Sequence, residues 1–141
     1  MLAGMCLALA IYHEARGEPL HGQLMVAKVV VNRMASDKWP SDMCTVIKQP
    51  RQFSFVRKGK APKPRDKVAW AMSQALAAEI LKDPSILPYT TADHFHTTQV
   101  KPVWRKALYR VARVGQHIFY SYDHPTAIQT SLRPETRPKN F

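Results

Sequence analysis

The residues best suited to proton-transfer chemistry lie in Tyr12-His13-Glu14-Ala15-Arg16-Gly17-Glu18-Pro19. An almost wholly apolar segment, Leu2 to Tyr12, runs into the Glu14 carboxylate, and Gly17 and Pro19 follow closely. Gly17 is a natural helix terminator and Pro19 a natural start for a second helix. An acid at the end of a buried helix, beside a break, is poorly solvated yet reachable, a setting that favours its protonated form near neutrality. Glu14 is therefore the candidate general acid; the alternative is an ion pair with Arg16 or with the next helix. Glu18 would share a face with Glu14 only if the helix ran on through Gly17 and Pro19. Its expected role is holding the turn, through Arg16 or backbone N–H groups at the start of the next helix, with second carboxylate as the alternative.

Two further motifs have chemical character. Gln52-Phe53-Ser54 combines amide, ring and hydroxyl in a segment expected to be extended, a set suited to sugar binding. Phe53 and Phe55 could equally be core anchors of a loop. His94-Phe95-His96 puts two imidazoles on one face of an extended segment. With His13, His21, His117 and His124 elsewhere, zinc has to be weighed, but no HExxH, C2H2 spacing or cysteine pair accompanies them. Hydrogen-bonding or groove-lining roles fit better, so neither a metal nor another cofactor is expected.

The elements that must position these groups follow from periodicity. Residues 2–15 read as a helix apolar nearly all round, hence central to a core. Residues 20–35 read as a second, with Leu24, Ala27, Val30, Val31 and Met34 near one face. Ser41 could cap a short helix to Ile47, which Pro50 stops. Asp66 is placed to cap a helix from Lys67 to Leu81, with Val68, Ala71, Met72, Ala75, Leu76 and Ala78 inward, and Asp83-Pro84 ends it. Residues 93–99 read as a short strand or extended turn. Pro102 is expected to open a helix to Val114 closed by Gly115, burying Trp104, Leu108, Val111 and Val114 and setting Lys106, Arg110 and Arg113 on the opposite side. Residues 116–122 alternate as a strand, and 123–141, with Pro125, Pro134 and Pro138, read as an irregular tail.

The bulk properties set limits. A chain of 141 residues with 45% apolar content supports one domain with a real core. The first apolar segment is too short to span a bilayer and lacks the features of a signal peptide. The net charge of +11 calls for an anionic partner or surface. Cys6 and Cys44 lack CxxC spacing and read as buried free thiols, with one disulfide open if the protein works in an oxidising compartment.

Four blocks in order, A-I-Y-H-E-A-R-G-E-P with G-Q-L-M-V-A-K-V-V-V-N-R-M, Q-P-R-Q-F-S-F, H-F-H-T-T-Q-V-K-P-V-W and R-V-G-Q-H-I-F-Y, resemble the SleB/CwlJ family of cell-wall hydrolases over roughly residues 5–122. The resemblance implies an α+β, predominantly helical, lysozyme-like domain over 1–122, with a few short strands beside a substrate groove and 123–141 as its tail. It implies cleavage of the bond between N-acetylmuramic acid and N-acetylglucosamine in peptidoglycan, most simply as a lytic transglycosylase with one catalytic carboxylate, matching Glu14. It supports Gln52 and Ser54 as groove residues and places His94 and His96 near the cleft. Asp93 departs from the small polar residue expected there and is the best remaining acid by sequence.

The expected partners are glycan strands and an anionic envelope surface, lipopolysaccharide or an acidic wall polymer. The envelope contact would run through the basic loop 57–67 and the Lys106/Arg110/Arg113 face and weaken with salt. A monomeric, endolysin-like lysis enzyme fits the charge and size; it would act on the bacterial wall and wait in the host cytoplasm before release. Two other classes compete. A small basic helical nucleic-acid-binding protein explains the charge but not the Glu14 setting. A zinc-dependent wall amidase shares the partner but not the mechanism.

Overall fold

The structure is a computed structural model that describes residues 3–49, 53, 55–57 and 60–125. The order of elements is α1 (Ala3–Ala15), α2 (Leu20–Ala35), α3 (Met43–Lys48), α4 (Lys67–Lys82), β1 (His94–Thr97), β2 (Tyr109–Val114) and β3 (His117–Ser121), with short 3₁₀ turns at Pro84–Ile86 and Val103–Ala107. No described helix is long and apolar enough to cross a membrane.

Helix α1 is the hub, as its all-round apolarity predicts. Every residue from Cys6 to Tyr12 is buried, and Ala15 with them, because α2, α3 and α4 each pack against it. The small residues Ala8, Ala10 and Ala15 bring those neighbours close, while Leu7 and Ile11 fill the space between. Tyr12 is sealed in the core, and its hydroxyl accepts the N–H groups of Arg65 at 3.0 Å and Asp66 at 2.9 Å, so the loop before α4 is tied to α1. Cys6 and Cys44 form a disulfide, with Cα atoms 5.3 Å apart, that joins α1 to α3. The expectation of free thiols is thereby corrected: packing α3 across the middle of α1 brings the two side chains face to face.

Helix ends follow the expected chemistry with two adjustments. Gly17 adopts φ +83° just past α1, and the Glu18 N–H closes onto the Ala15 carbonyl at 3.0 Å, the left-handed stop that a side chain would oppose. Asp66 caps α4 through the Ala69 N–H. For α3 the cap is Asp42, not Ser41: its carboxylate accepts from both the backbone N–H and the hydroxyl of Thr45. Of the α4 residues expected inward, only Leu76 packs against the core, and the helix otherwise presents a different face. Ser73, Ala77 and Ile80 are buried, whereas Val68 and Met72 stand 72% and 64% exposed. Trp70 sets this roll by meeting Tyr12 edge-on at 5.8 Å, which turns the Trp70–Ser73–Ala77–Ile80 row toward α1.

The 102–114 segment is not one helix. After a 3₁₀ turn it becomes β2, which pairs antiparallel with β3, and the sheet order is β1-β3-β2. Arg110 faces Tyr120 and Ala112 faces Phe119, so Val111 is an extra residue on the β2 side. That bulge explains the misreading: it resets the alternation and makes a strand mimic a three-residue period. Gly115 is consequently a hairpin residue with φ +56°, and a Cβ there would lie 2.6 Å from a Glu18 carboxylate oxygen. Lys106, Arg110 and Arg113 remain exposed, but along a 3₁₀ turn and an edge strand, not on one helical face. The central strand β3 buries His117, Phe119, Tyr120 and Ser121.

Candidate active site

Glu14 lies one residue before the end of α1, half-buried. Its neighbour His13 stacks on Phe55 with ring centroids 4.7 Å apart. His13 Nε2 donates to the Pro62 carbonyl at 3.0 Å, so an aromatic loop residue and the basic loop converge on the residue that precedes the acid. Burial, reinforced by the nearby Arg16 charge, pulls the His13 pKa below its ordinary value despite that bond. His13 is a neutral donor with its proton on Nε2.

The next contribution comes from α2. Asn32 and Arg33 clamp the extended strand entry. Asn32 Nδ2 donates to the Thr90 carbonyl at 2.9 Å and the Ala92 carbonyl at 2.7 Å, and Arg33 Nε donates to the Asp93 carbonyl at 2.7 Å. Arg33 is only 3% exposed. Its guanidinium lies between the rings of Trp39 (5.3 Å) and Phe53 (5.2 Å), a cation–π sandwich that compensates part of the desolvation. Burial pushes its pKa down to about 10, against the opposing pull of the Asp93 and Glu14 charges. It therefore remains a cation at neutral pH, and its attraction for Glu14 favours the ionised form of that acid. Among the described residues Arg33 Nη1 has no hydrogen-bond partner.

Asp93 and His94 sit where this clamp delivers them. One Asp93 carboxylate oxygen accepts the Tyr122 N–H at 3.0 Å and meets His94 Nδ1 at 2.8 Å. The His94 ring is flanked by Trp39 at 5.6 Å and Trp104 at 5.3 Å. His96 shares that face, as alternation predicts, since Trp104 also meets it at 5.6 Å, but it lies deeper. It is buried, donates from Nδ1 to the Thr97 carbonyl at 2.7 Å, and pairs through Nε2 with the Tyr120 hydroxyl at 2.9 Å. His96 is thus a buried support beneath Trp104, and only His94 of the pair is partly open.

The remaining sequence candidates divide. Phe53 is 1% exposed and belongs to the main core, so its ring backs Arg33 and is not on a groove wall. Gln52 and Ser54 lie outside the described residues, as do 126–141 of the tail. Glu18 holds a turn, though not the one expected: its carboxylate accepts the Gln116 N–H at 2.8 Å and faces His117 Nδ1 at 3.2 Å, fastening the β2–β3 hairpin to the start of α2. Burial outweighs the Glu18 attraction and lowers the His117 pKa, so this imidazole is neutral at pH 7. Glu18→Gln should lower unfolding free energy by about 1 kcal/mol, read by urea denaturation, with activity within about twofold; a second catalytic carboxylate would instead lose orders of magnitude in rate.

Asn32, Arg33 and Trp39 did not stand out in the sequence, and Trp104, expected in a buried helical stripe, is instead 37% exposed on a 3₁₀ turn. The available signal was the Asn-Arg pair inside a helix expected to be buried, where a charge needs a reason. No group of three or more metal-ligating side chains occurs among the described residues.

A helical domain with a half-buried acid at one helix end and a small antiparallel sheet across from it is a lysozyme-like arrangement. The family model for cell wall hydrolases matches residues 17–120, and the chain belongs to that family; Glu14 falls just before the matched span. Among curated relatives, the spore cortex-lytic enzyme of Oceanobacillus iheyensis is 36% identical over 116 residues, covering 80% of this chain and 39% of its own. That of Bacillus subtilis is 35% identical over 117 residues, covering 80% and 35%. The chain therefore spans well under half the length of these relatives. Among solved structures, the catalytic domain of the germination-specific lytic transglycosylase SleB from Bacillus anthracis superposes with a TM-score of 0.67 at 28% identity, covering 84% of this chain and 93% of that one. The catalytic domain of Bacillus cereus SleB gives 0.62 at 28% identity, covering 84% and 89%.

Proposed function

We propose that this domain cleaves the β-1,4 bond between N-acetylmuramic acid and N-acetylglucosamine as a lytic transglycosylase, with Glu14 as its single catalytic carboxylate. The observation that carries the reading is the position of Glu14: a half-buried acid closing the hub helix, beside a buried Arg33 whose cation favours the conjugate base.

The chemistry needs one group used twice. Glu14 donates its proton to the leaving glycosidic oxygen as the bond from that oxygen to C1 of the muramic residue breaks. The resulting carboxylate then takes the proton from the same residue's C6 hydroxyl as that oxygen closes on C1. A 1,6-anhydro ring forms, no water is consumed, and Glu14 ends protonated for the next turnover. Of the eight other described acids, Asp37 and Glu79 stand exposed on the surface, and the remaining six support a one-carboxylate scheme through their occupations. Asp42, Asp66 and Asp83 cap helices or turns, Glu18 fastens the hairpin, Asp123 pairs with Lys38, and Asp93 is engaged by Tyr122 and His94.

Mass spectrometry of the fragments released from purified sacculi tests the scheme. Anhydro-muramic ends are expected. Reducing muramic ends would replace it with hydrolysis, and free stem peptides with an amidase. The finer reading, an endolysin-like enzyme on an anionic envelope, draws support from the +11 charge, from exposed Lys106, Arg110 and Arg113, and from a disulfide that suits an oxidising compartment. The basic loop 57–67 is assigned to the same contact.

A further inference from the structure

The strand entry carries a device that the single-acid scheme does not use. Asp93 is held at four points. Its N–H donates to the Tyr120 carbonyl at 2.9 Å, its carbonyl accepts Arg33 Nε at 2.7 Å, and its carboxylate oxygen accepts Tyr122 N–H and contacts His94 Nδ1. The carboxylate is thus fixed before any ligand arrives. His94, next in the chain, is fixed by β1 pairing opposite Tyr120 and by the two flanking tryptophan rings. Its side chain nevertheless keeps 23% of its surface open, against 13% for Asp93.

A carboxylate can only accept, so the nitrogen facing it must carry a hydrogen. In a neutral imidazole the other nitrogen, Nε2, then bears a lone pair and no hydrogen. We propose that Asp93 is a positioning residue that locks His94 in the Nδ1–H tautomer, so that Nε2 serves as a hydrogen-bond acceptor for an N–H or O–H group of a bound N-acetylated sugar. Trp39 and Trp104 on either side supply apolar faces against which a sugar ring rests, so orientation comes from His94 and contact area from the rings. The inference rests on the glycan-cleaving reading and assigns a role within that site.

Two amide substitutions separate the nitrogens. Glutamine at 94 places a carbonyl oxygen near the reach of Nε2, whereas asparagine places its amide near Nδ1, keeping the bond to Asp93 but offering nothing at Nε2. On a Glu14→Gln background, which binds without turnover, affinity for soluble peptide-free glycan strands is read from tryptophan fluorescence. His94→Gln should hold Kd within about threefold of the parent, and His94→Asn should weaken it about tenfold or more, the loss of one acceptor to the ligand. If the order is reversed, or both variants bind alike, His94 is a packing residue and the proposal fails.

Nitrogen-15 imidazole spectra of the unsubstituted protein supply a second measurement that needs no variant to fold. The Nδ1–H tautomer is expected at pH 7.5, and an Nε2–H tautomer overturns the proposal. Strand binding by the parent combined with the wrong order of variants removes only this role. No strand binding by the parent removes the glycan reading itself.

Discussion

Glu14→Gln is expected to leave the fold intact and reduce release of wall fragments by at least about a hundredfold, the span that one positioned acid contributes. Glutamine has the same shape and retains hydrogen bonding, so circular dichroism and the thermal midpoint should barely move. What it lacks is a transferable proton and, after transfer, the negative charge next to Arg33. Both half-steps fail together, so no slow accumulation of a partial product should appear. Turbidity loss of permeabilised Gram-negative cells and chromatography of released muropeptides check this. Substantial lysis by the Glu14→Gln protein would refute the assignment, since the other partly buried acid near this end of α1, Glu18, is engaged by the Gln116 N–H.

The second large effect is on stability. Cys6 and Cys44 close a loop across a separation of 38 residues, and the chain-entropy model values such a closure at about 4 kcal/mol. That is a large share of the roughly 5–15 kcal/mol by which ordinary domains resist unfolding. A Cys6→Ser/Cys44→Ser protein should therefore unfold at much lower urea than the oxidised parent, and a reducing agent should move the parent toward the double variant. The same treatment should leave the double variant unchanged. A difference below about 1 kcal/mol would show that α1 and α3 stay docked through packing alone and that the covalent link constrains little of the unfolded chain.

How much of this was legible beforehand depends on the kind of signal. The bounds of α1, α2 and α4 follow from long apolar periods and explicit stops, and Gly17, Asp66 and Asp83 act at those ends as their chemistry dictates. Glu14 stood out because an acid terminating a wholly apolar segment is rare. The strand β2 looks helical in sequence because Leu108, Val111 and Val114 stand at helical spacing and the bulge at Val111 is invisible in a one-dimensional pattern. The inward face of α4 was misassigned because alanines mark no side, and Trp70, a partner of Tyr12, settles it only in three dimensions. Asn32 and Arg33 escaped for a related reason: their partners are carbonyls about sixty residues away, and main-chain acceptors leave no trace in residue types. Histidines 94 and 96 looked equivalent, and only the depth of the sheet distinguishes a partly open ring from a buried one.

The central placement of α1 bears on how such a domain can diversify. The proposed proton donor rides on the helix against which α2, α3 and α4 all pack, while Lys106 and Arg110 are exposed on a turn and an edge strand. Substitutions in those outer segments would alter the charged surface without shifting Glu14. Changes along α1 would meet opposition from three neighbours at once. Substitutions at the rim are thereby the cheap ones, and those beside Glu14 the costly ones.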